Sequence, residues 1–141
     1  MSIEVARALT AQWQERLGLT GWRIDVVAGK LDDLKSRAEI GKSRDYDRAT
    51  LHIAEWMLKG EQLPGTCFEH TKITATDVEE AIVHELLHCV TRDMQRVAFD
   101  VIDGQLHRDV DTVFVKAFTR AEEHAIDALA IALVKAWESR A

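Results

Sequence analysis

Val5, Ala8, Leu9, Trp13 and Leu17 recur at helical spacing with charged residues between them, so the pattern predicts an amphipathic helix over 3–17 ending near Gly18. The period then shortens. Trp22-Arg23-Ile24-Asp25-Val26-Val27 alternates before an apolar pair and reads as a strand. Two further short strands are expected over 36–42 and 48–54, joined as a hairpin by the turn-rich Ser43-Arg44-Asp45-Tyr46-Asp47. Trp56, Met57 and Leu58 start a short helix, after which Gly60, Pro64 and Gly65 enforce a loop.

The pattern changes character at Thr76. Thr76 and Glu79 have the form of a capping box, with Asp77 and Glu80 placed to complement the positive end of a helix. From Val78 to about Val90 that helix is apolar on nearly every side, the mark of a helix buried in its domain. Residues 93–107 are expected to break at Gly104 into a short helix and a turn. A second long helical pattern runs from Asp109 to Trp137 without Gly or Pro. Its apolar stripe is read as Phe118, Ala125, Leu129 and Leu133, with Phe114 and Phe118 packing in the core. The expected architecture is α+β: an N-terminal helix, a small mostly antiparallel sheet of about three strands, a buried helix and a long C-terminal helix, within one domain over 1–141.

Three polar residues interrupt the apolar helix, in His84-Glu85-Leu86-Leu87-His88. Histidines four apart share one helix face, one turn from each other, so two imidazoles can meet one metal ion. Glu85 can reach a water on the open side of that metal without binding it, which suits a zinc ion that acidifies water and a general base that takes the proton. Three specified positions can match by chance, as helix histidines satisfied by core hydrogen bonds. Two histidines and a glutamate in an apolar, capped helix are costly to bury without a partner, which weighs against chance.

A catalytic zinc takes three protein ligands and leaves a position to water. The extended metzincin pattern needs a histidine at position 94, which is Met94. Later candidates lie in Arg120-Ala121-Glu122-Glu123-His124-Ala125-Ile126-Asp127, a run that would otherwise read as a solvated charge cluster. With its upstream motif, this stretch resembles the gluzincins, the thermolysin-like peptidases, whose third ligand is a glutamate followed four residues later by an aspartate. The resemblance covers two helices, about a third of the chain. It implies a minimal zincin-like fold, zinc held by His84, His88 and Glu123, and Asp127 accepting a hydrogen bond from the free ring nitrogen of His84. A carboxylate behind a ligating histidine sets its tautomer and basicity, so Glu123 with Asp127 makes chemical sense on its own terms. Glu122 stays open as the third ligand, because the helical wheel puts it in the middle of the apolar stripe.

The implied activity is hydrolysis of a peptide or protein substrate, with strand 48–54 as the edge that aligns it. The size of the chain resembles the minimal gluzincins and small metallopeptidase-like proteins of phages and prophages. The larger gluzincins add His and Tyr donors for the oxyanion; Tyr46, His52, His107 and His124 are the residue types available here. The competing reading is a zinc-stabilised regulatory or binding module that keeps the metal and not the catalysis. A DNA-associated protease of the SprT kind is disfavoured by the acidic balance, and a three-histidine ribonuclease by the absence of its His-rich signature.

Composition narrows the partners. Apolar residues make up 47% and charged residues 30%, with a formal net charge of −6 and no basic stripe, so nucleic acid is not expected. No apolar run approaches a membrane span and the first residues lack a secretory h-region; a cytoplasmic protein is expected. Cys67 and Cys89 then read as free thiols, Cys89 as a small buried residue. Cys67 and His70 lack further ligands nearby, and the four tryptophans read as core or rim packing.

Overall fold

The computed structural model describes the backbone of residues 1–29, 31, 36–42, 47–61, 72–105 and 108–140, and the side chains of these residues except 101–112. Among the described residues four helices and three strands follow in the order α1 (Ile3–Arg16), β1 (Arg23–Gly29), β2 (Ala38–Lys42), β3 (Arg48–Ala54), α2 (Glu55–Lys59), α3 (Ala75–Gln105) and α4 (Arg108–Glu138). The architecture is α+β, with a small sheet and a long C-terminal helix.

Local chemistry accounts for the ends of α1. The Ser2 hydroxyl accepts from the Val5 N–H. Gly18 takes a left-handed φ of 70°, and the Leu19 and Gly18 amides return to the carbonyls of Gln14 and Glu15. That is a Schellman closure, which a residue with a Cβ would strain. The start of α3 differs from the sequence expectation. Thr74 and Asp77 form the reciprocal box, with the Thr74 N–H and hydroxyl both donating to Asp77 Oδ2 at 2.7 Å and the Asp77 N–H donating back to Thr74 Oγ1 at 3.2 Å. Thr76 lies inside the first turn and donates to Glu138 at 2.8 Å, while Glu79 accepts from the Trp13 indole at 2.7 Å.

The sheet is mixed rather than mostly antiparallel, in the order β1-β3-β2. β3 pairs in parallel with β1, from Arg23 opposite Arg48 to Gly29 opposite Ala54. It pairs antiparallel with β2, from Ala38 opposite Ile53 to Lys42 opposite Ala49. The strand that follows β1 thus crosses to the far side of β3. This makes Arg48–Ala54 the central strand, and the expectation of an edge there is corrected: the edges are β1 and β2. Ala49, Leu51 and Ile53 point into the core against Ile82, Val83 and Leu86, all buried.

Gly104 does not break α3, which continues to Gln105. A helical glycine costs about 1 kcal/mol, too little to end a helix with the rest of its pattern intact. On α4 the buried stripe is Glu122, Ile126, Ala130 and Val134; Leu129 is exposed and Phe114 is 53% exposed, so neither belongs to the core. Phe118 instead meets Phe99 of α3 edge to face, with ring centroids 5.7 Å apart. At the far end of α4, Trp137 packs edge-on to Trp13 and the Arg16 guanidinium lies over both rings, bringing together tryptophans distant in sequence. Among the described residues no helix is long and apolar enough to cross a membrane.

Candidate metal centre

The buried half of α3 brings its polar residues to one place. Val78, Ile82, Val83, Leu86 and Cys89 anchor the helix in the core, and this leaves His84 and His88 facing α4 with side chains 18% and 13% exposed. α4 runs alongside and supplies Glu123. His84 Nε2 and His88 Nε2 are 3.3 Å apart, and each lies 3.3 Å from a carboxylate oxygen of Glu123. The His84 distance is to Oε2 and the His88 distance to Oε1, so the carboxylate straddles the imidazole pair, and one ligand atom from each of the three residues lies within 4.8 Å of the others. His84, His88 and Glu123 are a group that could hold a metal ion.

The surroundings fit that role. His84 Nδ1 lies 2.8 Å from Asp127 Oδ1, a hydrogen bond that leaves Nε2 as the lone-pair nitrogen turned to the metal position. Burial depresses the pKa of His88, helped by His84 and Lys42 and opposed by Glu123, which favours the neutral imidazole that metal binding uses. Glu85 lines the same cleft as the histidine pair, with one oxygen 4.0 Å from His84 Nε2. Burial, followed by the Glu123 charge, pushes its pKa up to about 8, while a hydrogen bond from the backbone N–H of Ile40 works in the opposite direction. Glu85 therefore sits against β2 in a site that disfavours its charge.

Glu122, the alternative third ligand, is buried at 6% exposure and does not join the histidines. It accepts from the Thr91 hydroxyl at 2.7 Å and from the Gln95 amide. Neighbouring residues on a helix point about 100° apart, so Glu122 and Glu123 cannot serve the same site.

The group opens on a cleft of about 620 Å³ between β2, α3 and α4. β2 lines it with Glu39, Ile40 and Lys42, α3 with Glu80 and Ala81 beside His84, Glu85 and His88, and α4 with Ala130 and Ile131 beside Glu123 and Asp127. His52 and His124 are exposed and do not line it. Tyr46, His107, Cys67 and His70 lie outside the described residues. Cys89 is buried at 4% exposure, and desolvation pushes its thiol up to about 11, an inert packing residue.

Sequence reasoning missed Lys42, Thr91 and Gln95. Both signals were present. Lys42 shares the strand face of buried Ala38, an inward lysine by the period of two, and Thr91 and Gln95 continue the His84–His88 face at helical spacing.

No family model, no curated protein and no solved structure matches the chain.

Proposed function

We propose that the protein is a zinc-dependent peptide hydrolase with a minimal zincin-like domain of the gluzincin type. The observation that carries this reading is the three-donor group His84, His88 and Glu123, whose ligand atoms lie within 4.8 Å of one another, with Glu85 beside it and Asp127 behind His84. The donor set of two imidazoles and one carboxylate is the kind that leaves zinc an open position. When bound, the zinc ion polarises the scissile carbonyl, acidifies a water and draws Glu85 back towards its ionised form. Glu85 takes the proton from the attacking water and delivers it to the leaving amine. Asp127 holds the His84 ring in one tautomer throughout. β2, the edge strand of the cleft, offers backbone groups to an extended peptide, which moves the alignment role from Arg48–Ala54 to Ala38–Lys42.

One feature favours a second reading. The donors come from two helices, so a metal ion would clasp α3 to α4 whether or not it turned over a substrate, as in a zinc-stabilised regulatory or binding module. Metal content and peptide hydrolysis of the wild type, His84→Ala and Glu85→Gln separate the two. The hydrolase reading expects zinc in the wild type and in Glu85→Gln, its loss in His84→Ala, and hydrolysis reduced about 10²–10⁴-fold in Glu85→Gln. Tight zinc without turnover on a peptide library selects the module, and a zinc-free wild type ends both.

A further inference from the structure

Beside the metal-binding group lies a second set of polar side chains that touches none of the three donor side chains. Lys42 of β2 donates from Nζ to the His88 carbonyl at 3.0 Å and to Gln95 Oε1 at 3.0 Å. Gln95 passes its amide to Glu122 Oε2, and the Thr91 hydroxyl donates to Glu122 Oε1 at 2.7 Å. The chain of bonds therefore runs from β2 through α3 to α4. A carboxylate as buried as Glu122 is costly unless its oxygens are satisfied, and here both are, with the Lys42 charge one amide away.

We infer that Thr91, Gln95, Lys42 and Glu122 are positioning residues that set the rotation of α4 against α3 and so hold Glu123 at the histidine pair. This rests on the reading of His84, His88 and Glu123 as metal ligands. An apolar residue at 122 would hold the two helices together as well, but packing tolerates small rotations that directional hydrogen bonds do not. The tolerance matters. A side-chain end about 6 Å from the helix axis moves by about 1 Å when the helix turns by about 10°. Metal–ligand distances allow about 0.2 Å. Glu122 precedes Glu123 directly, and Thr91 and Gln95 follow His88 by three and seven residues on the same face. Locking Glu122 to them ties the residue next to Glu123 on α4 to positions within two turns of His88 on α3. Lys42 ties the same lock to the strand that lines the cleft.

The test uses near-isosteric changes that leave every proposed ligand in place: Thr91→Val and Gln95→Leu, with Thr91→Ser as the conservative partner. Two readouts report on the site rather than on the fold. One is zinc affinity by competition with a chromophoric chelator; the other is the visible spectrum of the cobalt(II)-substituted protein, which follows ligand geometry. Thr91→Val and Gln95→Leu should each weaken zinc binding about 10–100-fold and alter the cobalt bands. Thr91→Ser should restore both. Wild-type affinity and an unchanged cobalt spectrum in folded Thr91→Val, with a lowered melting temperature alone, would overturn the inference and leave the metal site standing. A wild type that takes up neither zinc nor cobalt overturns the metal site itself, and this inference with it.

Discussion

α3 and α4 have the same length, 31 residues each, yet they build the candidate site from opposite situations. The first half of α3 is interior: Ile82, Val83 and Leu86 are fully buried, and the polar residues between them, His84 and Glu85, line the cleft. α4 lies on the outside, with one buried stripe and most other positions exposed, and its Glu123 and Asp127 side chains are 42% and 64% exposed. The site is therefore half rigid interior and half surface. What the interior side holds by packing, the surface side must hold by hydrogen bonds, and this is where the Glu122 network and the Asp127–His84 bond are found.

The largest expected effect tests the packing side. Leu86→Ala should cost about 2–5 kcal/mol in urea unfolding, because a fully buried leucine leaves a cavity. Leu129→Ala on the exposed face of α4 should stay within about 0.5 kcal/mol. Equal losses would mean that the outer face of α4 is covered in solution, and the comparison would fail.

Glu85 gives a sharper contrast through pH. In the metal-free protein burial holds its pKa at about 8, against an ordinary value of 4.5 in the unfolded chain. The folded state binds the extra proton across that window, so stability should fall as pH rises from about 4.5 to about 8. Glu85→Gln should remove this slope and gain on the order of a few kcal/mol at pH 8, read from denaturant midpoints of chelator-treated protein. A wild-type slope no steeper than the variant's would place Glu85 in water, like the exposed Asp127 of α4.

The smallest of the three effects concerns the surface side. Asp127→Asn should weaken zinc about 10–100-fold through the loss of a charged acceptor behind His84, with little change in the stability of the metal-free protein. An affinity equal to wild type would mean that so exposed a carboxylate does not control the imidazole.

The elements that carry the site were legible because their signals are local. His84, Glu85 and His88 declare themselves by spacing, and Glu123 with Asp127 by a second interval of four. β3 was readable to its ends, Arg48 and Ala54, yet its place in the sheet was not, since alternation says which face a residue takes and nothing about which neighbour pairs. Two overlapping boxes, Thr74 with Asp77 and Thr76 with Glu79, were equally good locally; the Trp13 indole, 66 residues away, claims Glu79 and leaves the cap to Thr74. α4 misled the helical wheel because its many alanines make two faces look apolar. Only contact with α3 decides that Ile126 is inside and Leu129 outside.

The position of β2 at the sheet edge has one more consequence. An unpaired strand edge is a template on which copies of a chain can stack, and proteins limit that hazard with short edge strands and inward-turned charges. β2 has both: five residues, with the Lys42 ammonium drawn inward to α3. A short edge with its lysine turned inward is the form that limits such stacking.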